Sequence, residues 1–350
     1  MTAADKVSET GAWIFDYMTS VKREHWGMDI EHWDWVPGVG LISILDYGVY
    51  AEDQRAVDYA VEWAKRNEGL SDQARVINSM APYALYPVLY RLSGNTEYLS
   101  KAREIARWML ESAPRTREGA FEHTVTEDAA FPEQVWADTV YMAVLFLSRL
   151  ARAADDRGAA EAALEQTLLH FRLLQDDSTG LLFHGWDCAR RNYLSGARWA
   201  RANAWVMLAV PEIVRNIRGL AGIPEELLIR YRELAAELRK VQAEDGLWHT
   251  VLDRSDFYKE SSASAGIACG MVKAVRTGLL DEACLQNARL ALEGLLPLVT
   301  AEGEVRGVSG GTPVLASIAA YNEVPRYPTL YGQGLVLQLL AEFRLLEREA

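Results

Sequence analysis

The stretch EQVWADTVYMAVLFLSRLARAADDRGAAEAALEQTLLHFRLLQ, residues 133–175, contains two apolar helical patterns separated by the polar link DDRG at 155–158. Apolar residues recur at three- and four-residue spacings on both sides of this link, which predicts helices near 133–154 and 158–175. Two helices joined by so short a link pack antiparallel to each other. The stretch therefore predicts one helical hairpin.

The same alternation of short and long connections recurs along the rest of the chain. The periodicity predicts ten further helices, near residues 5–22, 38–50, 53–66, 73–92, 97–112, 199–218, 225–243, 261–278, 281–299 and 327–347. Further short links fall near 51–53, 93–96, 219–224 and 278–281, and long ones near 23–37, 67–72, 113–132, 176–198, 244–260 and 300–326. A repeat of roughly 58 residues without the consensus of solenoid families favours hairpins closed into a ring. We therefore predict an all-α fold, an (α/α)6 barrel of six hairpins, as a single domain over residues 1–350.

Composition and charge exclude several classes of function. The 350 residues carry 36 Lys and Arg against 49 Asp and Glu, a net charge of −13 that argues against nonspecific nucleic-acid binding. Three cysteines without a CxxC spacing suggest neither a disulfide framework nor a thiolate metal cluster. No secretory signal opens the chain, and no run approaches the ~20 apolar residues that span a bilayer. We therefore predict a soluble cytoplasmic protein without a membrane or nucleic-acid partner, and the sequence does not indicate its oligomeric state.

In the predicted topology every long loop leads into an even-numbered helix, so the N-termini of six helices meet at one mouth. Free N–H groups and helix dipoles suit such a mouth to an anionic ligand. Five of the six histidines fall in the long loops, and only His170 falls within a predicted helix. An aromatic platform with convergent polar groups is typical of sugar sites. Six tryptophans lie in or beside the long loops, and some of them are candidates for stacking on a sugar: Trp26, Trp33, Trp35, Trp186, Trp199 and Trp205. The alternative is that such residues pack the loops onto the barrel.

Asp138 heads an apolar run, with Trp136 before it and Tyr141 and Met142 after it. An unpaired buried carboxylate is costly, and its pKa rises unless something stabilises the charge. Either Asp138 caps its helix, or its protonation state serves a reaction. Patterns for other chemistries are weak, because the sequence contains no HExxH, no GxSxG and no nucleotide fingerprint. We therefore predict no metal and no cofactor.

Six short motifs are spread over the chain. They are QVWADTVYM (134–142), HGWD (184–187), WARANAW (199–205), GLWHTVLD (246–253), YKESSASAG (258–266) and GVSGGT (307–312). In number and order they resemble glycoside hydrolase family 105, the unsaturated rhamnogalacturonyl hydrolases and related unsaturated uronyl hydrolases. The resemblance extends from about Trp26 to YGQG at 331–334, nearly the whole chain. The family fold is a six-hairpin α/α barrel, in agreement with the expectation from loop lengths.

The resemblance implies a reaction. Members of the family remove a 4,5-unsaturated uronic acid from the non-reducing end of lyase-generated oligosaccharides by hydrating a vinyl ether. An acid protonates C4, water adds at C5, and the resulting hemiketal opens and releases the aglycone. This chemistry needs one proton-shuttling carboxylate rather than the carboxylate pair of common glycosidases. Asp138 matches the catalytic Asp of the family's WxDT-type motif, which implies Asp138 as general acid and base and an unsaturated rhamnogalacturonan disaccharide as the substrate.

The resemblance also implies substrate contacts in WARANAW. Arg201 would take the substrate carboxylate in a bidentate pair, although a surface ion pair is the alternative. Trp199 and Trp205 flank Arg201 as ring-stacking walls. Many relatives have glycines where this chain has Ala202 and Ala204, and the two extra methyl groups would narrow the pocket or shift the helix start.

Further polar contacts are implied outside this motif. His123 and His184 match the neighbourhood of the family's substrate-binding histidines and would bind sugar hydroxyls or tune Asp138. Asn78, in RVINSMAP, is a candidate polar contact near Asp138. Some relatives have an acidic residue in this region, so the asparagine leaves a supporting acid open.

Three other interpretations stay open. An unsaturated glucuronyl hydrolase of family 88 shares the fold and the chemistry but differs in substrate. A sugar epimerase on the same toroid would use a pair of histidines as acid and base, and His184 and His249 are the candidates. A non-catalytic carbohydrate-binding protein would bind sugars at the aromatic mouth without turnover.

Overall fold

The computed structural model describes residues 3–20, 25–71, 75–127 and 130–349, and these ranges contain twelve α-helices and two short strands. The helices are α1 (Ala3–Thr19), α2 (Trp35–Tyr50), α3 (Gln54–Arg66), α4 (Leu85–Ser93), α5 (Thr96–Glu111), α6 (Leu145–Ala154), α7 (Arg157–Leu174), α8 (Ala200–Ile217), α9 (Glu225–Lys240), α10 (Ser261–Arg276), α11 (Cys284–Leu295) and α12 (Leu330–Glu349). Each overlaps one predicted helix. The predicted end of the first helix at 21–22, the predicted start of the fourth at 73–74, and loop residues 23–24, 72 and 128–129 lie outside the described residues.

The even-numbered helices form a closed inner ring. The segment leading into α4 packs on α2, and then α4 packs on α6, α6 on α8, α8 on α10, α10 on α12, and α12 on α2. The helices α3, α5, α7, α9 and α11 pack on their hairpin partners, and α1 packs on α12. This is the predicted all-α (α/α)6 barrel, so the prediction of the fold class is confirmed.

Burial separates the inner helices from the outer ones. Nearly every residue of α8 is buried, whereas α9 buries one stripe that includes Leu227, Tyr231 and Leu238. The inner helices also approach closely, because a Cβ atom at Gly270 of α10 would lie 2.4 Å from the Met207 carbonyl oxygen of α8. Only glycine fits such a contact. Despite this burial, no helix in the described ranges combines the length and apolar character needed to cross a membrane.

The stretch 133–154 differs from the prediction at its start. Gln134–Trp136 forms strand β1, which pairs antiparallel with β2 (Gly185–Asp187), instead of the first turn of a continuous helix. Helical structure begins at Asp138, passes through a π-helical turn at Val140–Val144 and continues as α6. The predicted helix start at 133 is therefore wrong. Its physical reason is a strand partner in a distant loop, which local periodicity does not register.

The fourth predicted helix consists of two parts. Asn78–Ala84 is a 3-10 helix, and α4 begins only at Leu85. Pro82 lies inside the 3-10 segment, and a proline there lacks the N–H that an α-helix would use. Asn78 thus begins a tight helical turn just before the inner helix.

Four charged side chains meet in the core near the C-terminal ends of the inner helices. Arg149 of α6 donates from Nε to Glu212 at 2.7 Å, and from Nη2 to the two oxygens of Asp46 at 2.9 and 3.0 Å. Lys273 of α10 lies 3.1 Å from the other oxygen of Glu212. All four side chains are almost fully buried, so each charge depends on its partners to replace lost hydration. This ion cluster joins α2, α6, α8 and α10.

His170 in α7 is a buried imidazole with one unpartnered nitrogen. Its Nδ1 lies 2.7 Å from the Gln166 carbonyl oxygen, and its Nε2 has no hydrogen-bond partner among the described residues. Burial lowers the pKa of His170 to about 4. Between its ordinary pKa of 6.5 and this value the unfolded chain binds a proton that the folded chain does not. The contribution of the neutral His170 to the free energy of unfolding is therefore fully present above about pH 6.5 and is lost as the pH drops towards 4.

We expect His170→Phe to reduce this loss of stability. Between pH 7 and pH 4.5 the free energy of unfolding should fall by about 2 kcal/mol less in the variant than in the wild type, since one titrating group is gone. Urea unfolding at both pH values measures the difference. His32→Phe replaces a partly exposed histidine and serves as the control. Equal pH dependence in wild type and His170→Phe would contradict the assignment.

Candidate active site

A cavity of about 370 Å³ opens where the N-terminal ends of inner helices meet. Six of the residues predicted to form a site line it: Trp35, Asn78, His123, Asp138, Trp199 and Arg201. They come from the start of α2, the segment before α4, the loop before β1, and the starts of the sixth and eighth helices. This placement agrees with the expectation that the inner-helix N-termini face one mouth.

The strand pair holds Asp138 in the wall of this cavity. Ala137, directly before it, donates its N–H to the His184 carbonyl oxygen at 3.1 Å and so extends the β1–β2 ladder. Asp138 Oδ2 lies 3.3 Å from His184 Nε2, yet both atoms are buried without an aligned hydrogen bond. Catalytic hydrogen bonds are often loose in free enzymes and tighten around the substrate. The pair therefore has hydrogen-bonding capacity left for a ligand.

Burial and mutual contact set the charge of this pair. Burial alone would raise the pKa of Asp138, but the neighbouring His184 and the more distant His123 outweigh it and hold that pKa below its ordinary value. Burial lowers the pKa of His184, although Asp138 acts in the opposite direction. Burial likewise lowers the pKa of His123 to about 4. At neutral pH the free site thus holds a carboxylate between two neutral imidazoles.

Tyr321 defines which nitrogen of His184 carries the proton. The Leu315 N–H donates to the Tyr321 hydroxyl oxygen at 3.2 Å, which leaves the hydroxyl proton for another acceptor. His184 Nδ1 lies 2.7 Å from that oxygen, and Ser195 Oγ lies 3.3 Å from it. The shorter contact indicates that Tyr321 donates to Nδ1, so we assign the proton of the neutral imidazole to Nε2. That N–H faces Asp138.

We expect Tyr321→Phe to lower kcat about tenfold, as the loss of one buried hydrogen bond would do. Nδ1 then becomes free to take up a proton, so the acid limb of the kcat–pH profile should move to higher pH. Tyr141→Phe is a matched control, because that buried hydroxyl bonds to Gln338 and not to His184. A Tyr321→Phe enzyme with the wild-type pH profile would argue against this role.

Arg201 uses most of its hydrogen-bond donors within the chain. Its Nη1 donates to Ser309, to both the carbonyl and the hydroxyl oxygen, and to Ser262 Oγ at 3.3 Å. Its Nη2 donates to the Gly310 carbonyl oxygen at 2.8 Å and to Thr312 Oγ1 at 3.2 Å. Only Nε has no partner. The expected bidentate clamp on a substrate carboxylate would require these bonds to break. In this arrangement Arg201 places a positive charge beside the cavity and holds the 309–312 loop in position.

The charge of Arg201 is only loosely balanced. Its nearest carboxylate is Glu260, at 3.6 Å from Nη1. Glu260 also caps α10, accepting from the Ala263 N–H at 2.6 Å, and binds the Ser309 N–H at 2.8 Å. The guanidinium lies 4.5 Å from the Trp199 ring centroid and 4.7 Å from that of Tyr331. This buried cation beside the cavity favours an anionic group on a ligand.

Two predicted tryptophans do not reach the cavity. Trp205 lies one helical turn below Arg201, which is about 6 Å deeper along α8, and packs in the core at 5.0 Å from the Tyr141 ring. The Trp33 ring does not line the cavity and stacks on the Trp63 ring, with the two ring centroids 5.5 Å apart. For these two residues the structure supports the alternative, a packing role.

The extra methyl groups of WARANAW also lie away from the cavity. Ala202 and Ala204 are fully buried in α8, and the lining of the cavity does not include them. Ala204 faces Gly266 of α10, where a Cβ atom would come within 3.0 Å of the alanine methyl. The lining therefore does not support the expectation that these alanines narrow the pocket, and Ala204 tightens a contact between α8 and α10 instead.

Sequence reasoning missed several lining residues. Asp34, Phe131 and Trp136 line the cavity without having been predicted to, whereas Trp26, which also lines it, is one of the tryptophans in the predicted mouth loops. Trp136 stacks on His123 at 4.1 Å, which fixes that imidazole beside Asp138. Trp136 could have been found from the sequence, because it lies two residues before Asp138 in the motif QVWADTVYM. The contact of Tyr321 with His184 could not, because it joins distant parts of the chain.

One group of potential metal ligands exists in the described part of the chain. The ligand atoms of Glu118, Glu133 and Cys188 lie within 4.8 Å of one another. Burial raises the pKa of the Cys188 thiol to about 12, and Arg117 donates to Glu133 at 3.1 and 3.2 Å. None of the three lines the cavity, so the group gives no reason to assign a metal to the site around Asp138.

Comparison with known proteins gives consistent matches. The model of the family Glycosyl Hydrolase Family 88 matches residues 9–346. Unsaturated rhamnogalacturonyl hydrolase YesR of Bacillus subtilis (strain 168) is 35% identical over 317 residues, 89% of each chain. The structure of a possible family 105 member from Salmonella enterica serovar Paratyphi A is 29% identical, covers 99% of this chain and 96% of its own, and superposes with a TM-score of 0.93. An unsaturated glucuronyl hydrolase from Bacillus sp. GL1 shares the fold at 18% identity, with 89% and 86% coverage and a TM-score of 0.68.

Proposed function

This chain belongs to glycosyl hydrolase family 88, and from that premise we propose that it removes a 4,5-unsaturated uronic acid from the non-reducing end of lyase-generated oligosaccharides. It is a glycoside hydrolase, and the resemblance to family 105 is confirmed by the matches to YesR and to the Salmonella protein. The similarity to YesR favours an unsaturated rhamnogalacturonan disaccharide as the substrate. Asp138 is the proposed general acid and base.

The observation that carries this proposal is one buried carboxylate with an unpartnered oxygen in the cavity wall. Asp138 Oδ2 is buried and has no aligned partner. Asp34 also lines the cavity, but its oxygens already accept from the Trp35 N–H at 2.7 Å, from Ser79 Oγ at 2.8 Å and from Thr126 Oγ1 at 2.9 Å. Glu127, the third carboxylate of the lining, is exposed, so Asp138 is the buried carboxyl of the lining with an unpartnered oxygen. One such carboxyl fits vinyl-ether hydration better than a mechanism with a nucleophile and a separate acid.

The proposed reaction begins with a change in the charge of Asp138. The uronate carboxylate and the exclusion of water both disfavour a second anion, so they raise the pKa of Asp138 in the complex. The carboxylic acid then transfers its proton to C4, and the C4=C5 electron pair forms the new C–H bond. Water adds its oxygen to the cationic C5 and returns a proton to Asp138. The C5 hemiketal opens, and the hemiacetal left at C1 expels the aglycone as an alcohol.

Arg201 and the imidazoles orient the substrate in this proposal. The guanidinium attracts the uronate carboxylate through its charge, with Nε as the unpartnered donor. The Nε2–H of His184 stabilises Asp138 as a carboxylate after proton transfer. Trp35 lines the cavity and supplies a face for a sugar ring. Trp199 also lines it, but its ring packs against the Arg201 guanidinium and the His184 imidazole.

The epimerase alternative loses support from the position of His249. An epimerase would need His184 and His249 on two sides of one substrate. His249 does not line the cavity, and its Nδ1 lies 2.6 Å from the Phe257 carbonyl oxygen. The cavity therefore does not hold the required pair.

The test is the ultraviolet absorbance of the conjugated uronate during incubation with the enzyme. We expect the band of an unsaturated rhamnogalacturonan disaccharide to disappear, and faster than that of an unsaturated glucuronyl disaccharide. Faster loss with the glucuronyl substrate would favour the glucuronyl hydrolase alternative. Bands that persist with both substrates would refute the proposed reaction.

A further inference from the structure

A second cavity of about 410 Å³ adjoins the first. The two cavities share Phe131 and Trp136 as a common wall. The second cavity therefore borders the first. No step of the proposed reaction uses this second space.

The lining of the second cavity suits an anionic, hydroxyl-rich ligand. Arg190 is the one charged side chain among the described residues that line it, and its polar neighbours there are Gln134, Asn192 and Ser195. The other members of the lining are apolar or aromatic, as in many sugar sites. A positive charge without an acidic neighbour in the lining is notable in a chain of net charge −13.

Arg190 is available for such a ligand. Its side chain is 72% exposed, and the Asp187 carboxylate at 3.7 Å lies beyond hydrogen-bond distance. Asp187 instead accepts the backbone N–H of Arg190 at 2.8 Å, which fixes the turn. The guanidinium keeps only the long ion-pair contact with Asp187, so its N–H donors remain available. A guanidinium of this kind recognises carboxylates through two parallel N–H donors.

The wall of the second cavity is built from a strained turn. Leu194 has a φ of 55°, a left-handed conformation that a large side chain rarely adopts. The conformation places the leucine against Gly185 of β2, where a Cβ atom would come within 3.1 Å of Leu194 Cδ1 and 2.9 Å of Val314. Such strain persists where surrounding structure enforces it, and it is frequent at ligand sites.

A chain of contacts joins the two cavities. Ser195 in the second cavity lies 3.3 Å from the Tyr321 hydroxyl, and that hydroxyl lies 2.7 Å from His184 Nδ1. His184 in turn lies 3.3 Å from Asp138 in the first cavity. The second cavity is therefore adjacent in space and connected by side chains to the proposed reacting carboxyl.

We propose that the second cavity is a subsite for an acidic sugar unit of the leaving oligosaccharide, with Arg190 binding its carboxylate. This inference rests on the proposed function, since it extends the same substrate beyond its first two sugars. The enzyme then prefers unsaturated oligosaccharides that carry an internal uronate over the bare disaccharide. Arg190 is a specificity-determining residue and takes no part in the proton transfers.

The test compares two substrates in the intact protein. kcat/KM is measured by loss of the ultraviolet band for an unsaturated rhamnogalacturonan disaccharide and for the corresponding tetrasaccharide with an internal uronate. We expect Arg190→Ala to leave the disaccharide value unchanged and to lower the tetrasaccharide value roughly tenfold, the effect of losing one charge-assisted hydrogen bond. The loss should appear in KM and should shrink at high salt. Arg191→Ala removes the adjacent exposed charge, which does not line either cavity, and controls for net charge.

The outcomes separate this inference from the proposed function. If the wild type turns over the disaccharide but Arg190→Ala does not alter the tetrasaccharide-to-disaccharide ratio, the subsite is wrong and the proposed function stands. An equal loss with Arg191→Ala would also overturn it, since general charge would then explain the effect. If the wild type consumes neither substrate, the proposed function fails and the subsite with it.

Discussion

Replacement of Asp138 by asparagine is expected to lower kcat about a thousandfold. General acid–base groups contribute roughly 10²–10⁴ to rates, and the amide can neither give a proton to C4 nor accept one from water. The binding of the disaccharide should change much less, because Asp138→Asn keeps the shape of the side chain. The measurement is the rate at which the conjugated uronate band disappears at saturating substrate.

The matched control is Asp187→Asn on the neighbouring strand β2. Asp187 is also buried, and an asparagine there can still accept the Arg190 N–H that its Oδ1 accepts at 2.8 Å. It does not line the cavity, so its kcat should stay within about twofold of the wild type. Both variants should unfold at temperatures near that of the wild type. Turnover by Asp138→Asn at the wild-type rate would exclude Asp138 as the proton shuttle.

Arg149→Met is expected to lower the free energy of unfolding by about 3–5 kcal/mol, since it leaves buried charges without their partner. Arg149 holds Asp46 and Glu212 together. Its loss leaves Glu212 with Lys273 and removes the ion-pair partner of the buried Asp46. The contacts with Arg149 and Lys273 keep the pKa of Glu212 below its ordinary value against the effect of burial. Equilibrium unfolding in urea, followed by circular dichroism, measures the change.

A surface pair provides the comparison for this prediction. Arg172 contacts Glu226 at 2.6 Å, but its side chain is 51% exposed. Arg172→Met should therefore cost at most about 1 kcal/mol. Losses of equal size in the two variants would contradict the importance assigned to burial in the ion cluster.

The fold was predictable because connection length directly constrains helix pairing. The link at 155–158 is so short that the two helices it joins must pack antiparallel to each other. Five such links define most of the barrel. Strand β1 was not predictable in this way. Three residues carry too little periodicity, and their partner β2 lies in a separate loop.

The candidate site was predictable where a residue conflicts with its local surroundings. Asp138 heads an apolar run, and that conflict is visible in the sequence. Trp205 shows no such conflict, and whether it lies at the mouth or in the core depends on the depth of its helical turn. Tyr321 contacts His184 across the fold, and no local pattern reports a contact of that kind.

The closure of the ring by α12 on α2 affects how the chain reaches its native state on the ribosome. Vectorial synthesis delivers five complete hairpins before the last inner helix emerges, and α12 is the element that covers both α2 and α10. The apolar faces of those helices stay exposed to solvent in the nascent chain until then, and such faces promote aggregation. The packing of α12 on α2 and α10 is therefore the step that covers these faces and lowers the risk of aggregation.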